Sequence, residues 1–153
     1  MKSELDKAIL IATKVHSGQT RANGLPYILH PMRVMLKVRA LTRLIKPLVA
    51  AVLHDVVEDS DITFKDLKES GISPEVITAL KLLTHFSYDS YVEYIHKIVN
   101  SNNQSAIMVK IADLEDNMNL EEIPNIKDYH IKRHRKYRRA RNELLELRRK
   151  NNG

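Results

Sequence analysis

The stretch KPLVAAVLHDVVE, residues 46–58, decides how the rest of the chain is to be folded. It is too long for an ordinary strand and apolar on nearly every face, so it predicts a helix buried at the centre of the molecule. His54 and Asp55 interrupt the apolar run, and Glu58 and Asp59 follow one turn later. On a helix His54 and Glu58 stand four residues apart, as do Asp55 and Asp59. The reading therefore places a two-by-two block of ionisable groups on one wall. Burying such groups costs free energy unless each is paired or bound to a metal.

Working outward, helical periodicity dominates and no stretch alternates convincingly as a strand. Ser3 with Asp6 predicts a capped first helix carrying Leu5, Ala8, Ile9, Ala12 and Val15 on one face, ending near Ser17-Gly18. A loop, TRANGLPYILHP, leads to a second helix over about 32–44 with Pro31 in its first turn. Thr63 caps a short helix to Glu69, and Ser73-Pro74 starts another to about Leu83. Tyr88–Val99 and Gln104–Met118 read as two further helices, and a long basic helix closes the chain. The expectation is a single all-α domain over 1–153, a bundle of seven or eight helices.

The 153 residues suffice to bury one sizeable core. With no Cys, disulfides and thiolate metal sites are excluded, so a metal must be held by His, Asp or Glu. That donor set suits Mn²⁺ or Mg²⁺, with Zn²⁺ or Fe²⁺ also open. No apolar run approaches a membrane span of about 20 residues. The N-terminal segment has charges spaced through it, unlike a signal peptide, so a cytoplasmic location is expected. The net charge of +6 is uneven: residues 130–150 hold ten Lys or Arg against two Glu, leaving the remainder slightly acidic.

Two more groups suited to metal chemistry lie in apolar surroundings. His30 precedes Pro31, and Asp113 follows IMVKIA with Asn117 one turn beyond. His30, His54, Asp55 and Asp113 together offer two imidazoles and two carboxylates, a ligand set for one divalent ion with open positions. Glu58 and Asp59 are left over, near enough to act on water and on a leaving group. His16 and Gln19 read as braces of the loop, and Lys110 as a snorkelling or paired cation.

The order H…HD…D resembles the HD-domain metal-dependent phosphohydrolases. The phrases KVHSGQTRANGLPYILHP, AVLHDVVEDS and VKIADLEDNMNL resemble, more narrowly, the hydrolase half of the RelA/SpoT homologues and the small alarmone hydrolases. The resemblance runs from about Ala8 to the KYRRAR segment and implies an all-helical bundle. It further implies that His30, His54, Asp55 and Asp113 ligate one Mn²⁺, and that Glu58 and Asp59 orient or activate water. Asn117 would lie near the reacting phosphate, and Arg21 and Tyr27 would line the nucleotide pocket. The implied reaction is hydrolysis of the 3′-diphosphate of ppGpp or pppGpp to GDP or GTP and pyrophosphate.

The chain departs from the family's pattern at Ala22 and Leu120, which keeps another nucleotide, such as an adenosine alarmone or a nucleoside monophosphate, open as substrate. A non-catalytic nucleic-acid-binding or sensor protein on the same scaffold is the third reading. It would rest on residues 130–150 alone. There Tyr137, Ala140, Leu144 and Leu147 form a packing seam, and the Arg and Lys residues cover the other faces. That face reads as a solvated surface or as a field attracting an anionic nucleotide, because no nucleic-acid recognition motif accompanies it.

Overall fold

The computed structural model describes residues 1–152. Within them the chain forms eight α-helices: α1 Glu4–His16, α2 Leu29–Leu41, α3 Ile45–Leu53, α4 Phe64–Glu69, α5 Pro74–Leu83, α6 Tyr91–Ser101, α7 Gln104–Asn117 and α8 Asp128–Asn152. A 3-10 turn, Leu120–Glu122, precedes α8. No strand is formed among the described residues, where the only β-type pairing is an isolated bridge between Thr20 and Pro26. The expected all-α class is borne out.

The central role read for 46–58 holds for its first part. Every residue of α3 from Pro47 to Leu53 is buried, and α3 packs on α1, α2, α5 and α7. α7 is its counterpart, buried from Ala106 to Leu114. Each Leu, Val or Ile so enclosed contributes about 1.5–3 kcal/mol by leaving water. α8 closes the bundle with Ala140 and Leu144 buried and Tyr137 and Leu147 packed beside them, the seam read from the sequence.

Local signals explain most of the helix ends. Reciprocal capping boxes start α1 at Ser3/Asp6, α4 at Thr63/Asp66 and α6 at Ser90/Glu93. The last of these starts α6 three residues later than Tyr88. α2 starts at Leu29 rather than 32, with Pro31 still in the first turn, where a missing N–H costs nothing.

The largest departure is at the end of α3. The helix stops at Leu53 instead of 58, and the chain passes into turns. The side chain of His54 is the physical reason: its Nδ1 donates to the Ala51 carbonyl at 2.7 Å, and the Val56 N–H reaches back only to Leu53 at 3.0 Å. The i, i+4 bond from the Asp59 N–H to the Asp55 carbonyl survives at 3.0 Å, so the acidic pair remains close behind His54-Asp55.

Candidate metal centre and cleft

His30 enters from the first turn of α2, His54 and Asp55 from the turn ending α3, and Asp113 from the buried side of α7. His30 Nε2 lies 3.0 Å from Asp113 Oδ1, 3.2 Å from His54 Nε2 and 3.5 Å from Asp55 Oδ2. His54 Nε2 lies 3.0 Å from Asp55 Oδ2 and 3.3 Å from Asp113 Oδ1. Bonds of about 2.0–2.2 Å from one ion to neighbouring ligands would separate the donors by about 3.0–3.5 Å. His30, His54 and Asp55 form a compact three-donor group, which Asp113 joins through both imidazoles.

The outer nitrogens fix how the rings carry their protons. His30 Nδ1 donates to Asp116 Oδ2 at 2.6 Å, and His54 Nδ1 donates to the Ala51 carbonyl. Neutral rings must then turn the lone pairs of both Nε2 atoms toward each other and toward two carboxylates. Such a cluster repels itself unless a cation sits within it, and an outer acceptor on each histidine is the usual support of a metal ligand. The residues therefore fit a divalent ion.

Without an ion, the same carboxylates favour a proton on the rings, so a positive charge is called for at this point in either case. Burial alone would lower both histidines, but Asp113 and Asp116 raise His30, and Asp55 and Asp113 raise His54 well above its ordinary value. Burial would raise Asp55, yet the His54 imidazole outweighs it and lowers the carboxyl to about 2. Asp113 is likewise held well below the usual range, chiefly by the Lys110 ammonium, which donates to its Oδ2 at 2.8 Å. Glu58 and Asp59 go the other way. Burial, reinforced by the nearby Asp55, raises both.

A cavity of about 290 Å³ opens beside the centre. Its walls include Tyr27, His54, Asp55, Glu58, Asp113 and Asn117, so the structure brings six of the sequence-derived candidates to one space. His30 lies behind it, 1% exposed. Asp59 does not line this cavity, and its carbonyl accepts from Gln19 Nε2 at 3.3 Å. Arg21 faces an adjoining hollow with Asn117 and Arg133, and donates to Asn117 Oδ1 at 2.6 Å and Asp116 Oδ2 at 3.2 Å. Tyr27 donates its hydroxyl to Asp55 Oδ2 at 2.6 Å, an intimate link to the centre. The expected brace exists, with His16 Nδ1 and Gln19 Oε1 2.8 Å apart.

Sequence reasoning missed Asp116, Arg33, His85 and Tyr94. Asp116 is 5% exposed and accepts from Arg33 Nε at 2.7 Å as well as from His30. Its one signal is its place three residues after Asp113 on the same helix. His85 donates its N–H to the Glu58 carboxylate, and its ring stacks on Tyr94 at 4.7 Å.

The all-helical bundle gathers a His-Asp pair, a second His and a distant Asp beside a polar cleft, the arrangement that the resemblance to HD-type domains implies. Matches to known proteins carry the description further. A comparison with protein-family models gives no match. The chain is 31% identical over 94% of its length to a guanosine-3′,5′-bis(diphosphate) 3′-pyrophosphohydrolase of Vibrio cholerae. It is 33% identical over 74% of its length to the bifunctional (p)ppGpp synthase/hydrolase SpoT of Escherichia coli. It spans only about a fifth of these relatives, 20% and 17% of their lengths. A solved metazoan orthologue of SpoT, described as hydrolysing ppGpp, superposes with a TM-score of 0.74 at 23% identity, covering 96% of this chain and 86% of that one. The resemblance to the HD-type alarmone hydrolases, first drawn from three phrases, is borne out.

Proposed function

We propose that the chain hydrolyses the 3′-diphosphate of ppGpp or pppGpp, releasing pyrophosphate and leaving GDP or GTP. The observation that carries this reading is the convergence of two imidazole Nε2 atoms on Asp55 Oδ2 and Asp113 Oδ1 beside a polar cleft. The similarity to relatives with that printed activity supports the choice of substrate. In this reading His30, His54, Asp55 and Asp113 hold one divalent ion. Mn²⁺ is the choice, because two imidazoles and two carboxylates without thiolate suit it.

Such an ion supplies Lewis acidity toward a phosphate oxygen and toward water. The chain's own groups do the rest. Glu58, raised by burial, is poised to accept a proton from the attacking water, with Asp59 completing the acidic pair. Asn117, anchored by its Nδ2 to Asp113 Oδ1 at 3.0 Å, lines the cleft in which the phosphates would lie. Tyr27 keeps Asp55 oriented and offers its ring as a wall for the nucleotide. Arg21, 5.9 Å from the Tyr27 ring centre, extends that wall with a guanidinium able to stack on a purine.

The test is pyrophosphate release from ppGpp by chelator-treated protein on adding Mn²⁺, run beside Asp55→Asn. Restored turnover in the parent and at least about a 100-fold loss in the variant is the expected result. Turnover that is indifferent to metal and to Asp55 would overturn the reading.

No described helix is long and apolar enough to cross a membrane. A cytoplasmic location remains part of this proposal.

A further inference from the structure

Between α6 and α8 lies a groove of about 420 Å³, larger than the cavity beside the metal centre. Lys132, Arg135, Lys136 and Arg139 line it, spaced i, i+3, i+4 and i+7 along one side of α8. None of the four pairs with a carboxylate among the described residues; the acid in the groove, Glu143, faces His96 at 3.6 Å. The floor is apolar, from Val92, Ile95 and Ala140, and Val92 is 61% exposed.

The groove and the cleft share two walls, Tyr91 and Lys136. Lys136 Nζ rests 4.3 Å from the Tyr91 ring centre and 5.5 Å from that of Tyr137. The Tyr91 hydroxyl at this junction is shielded from solvent and has no hydrogen-bond partner. A shielded hydroxyl left unpaired is costly, so a bound acceptor there would be stabilised.

We propose that this groove is an anion subsite, continuous with the cleft across Tyr91 and Lys136, that takes the terminal phosphates of a nucleoside polyphosphate whose scissile end lies at the metal centre. The proposal rests on the hydrolase reading above and deepens it. Chains with more phosphates at the end remote from the scissile bond gain more from the subsite. Four unpaired cations match a run of phosphates, and the floor suits sugar carbons. A folded or extended RNA would instead spread over the cations outside the groove, such as Arg138 and Arg141, and would need no enclosed apolar floor.

The experiment compares the full chain with Arg135→Gln/Arg139→Gln, two positions that line the groove but not the cleft. With Mn²⁺ present, the KM for pppGpp is expected to rise roughly tenfold and that for ppGpp less, with kcat within about twofold. Arg135→Lys/Arg139→Lys should recover most of the loss. In a second arm, equilibrium dialysis of pppGpp against chelator-treated protein needs no turnover, and its Kd should rise by a similar factor. If the parent never hydrolyses ppGpp, the hydrolase reading falls while the dialysis arm still decides the groove. Equal Kd values for parent and glutamine variant would overturn the proposal. So would two nucleotides bound per chain, or weaker binding of a 20-nucleotide RNA with unchanged pppGpp binding.

Discussion

Asp116 shows how much of the centre depends on a residue that does not line the cleft. Its carboxylate accepts from His30 on one side and from Arg33 and Arg21 on the other, so three donors converge on a single buried group. Burial would raise its pKa, but His30 and Arg33 hold it far below the usual carboxylate range. Without that acceptor the His30 ring could place its proton on either nitrogen, and its Nε2 lone pair would no longer be assured. Asp116→Ala is therefore expected to weaken divalent-ion binding by about 10- to 100-fold, with Asp116→Asn less affected. Competition against a metal-chelating dye measures this directly, and an affinity equal to the parent's would remove Asp116 from the role. The residues around it were unevenly legible. His54-Asp55 announced itself by contradicting an apolar run. Asp116 lies in LEDN, which reads as a helix end facing solvent, and only closure against α2 buries it.

At the scale of elements, the helix starts were legible where capping chemistry is local and their ends were not where a tertiary contact decides. The Ser90/Glu93 box was present in the sequence as S-x-x-E, yet the predicted start of α6 at Tyr88 lies three residues too early. The end of α3 had no such signal, because Val56 and Val57 continue the apolar pattern while the His54 side chain takes the Ala51 carbonyl. Gly71 ends the turn after α4 at φ +91°, a left-handed conformation that favours glycine. Packing between elements has one pH-sensitive clamp. Glu4 in α1 accepts from Lys46 in α3 and from the Ser73 N–H ahead of α5. Burial opposes ionisation there, but these donors outweigh it and lower the pKa below its ordinary 4.5. A carboxyl lowered on folding adds stability that is complete above its unfolded pKa and is lost as pH falls through the folded value. Urea unfolding of the parent and Glu4→Gln should therefore differ at pH 7, with the gap shrinking as pH falls below the ordinary 4.5 and closing below the lowered folded value. A gap independent of pH would mean that the glutamine perturbs packing rather than charge.

Taken whole, the molecule is electrically lopsided. The basic residues concentrate in α8, and the acids that matter lie in the cleft it overhangs. Such an arrangement draws a polyanion toward the site and leaves the carboxylates to be compensated by a cation. The same centre ties α2, the turn after α3, and α7 together, so occupancy must act on global stability. Saturation at about 100 times Kd contributes about 2.7 kcal/mol, which for a chain of this length raises Tm by about 5–10 °C. Calorimetry of chelator-treated protein with and without Mn²⁺ checks this, and Asp55→Asn should show a much smaller rise. Equal shifts in parent and variant would mean that the ion binds elsewhere.

The bond between His30 and Asp116 closes a loop of 86 residues. Each helix can form from neighbours in the chain within microseconds, but joining these two ends carries an entropic cost that is repaid only once α2, α3 and α7 have docked. On the metal reading proposed above, the ion would therefore be captured only after these helices have docked.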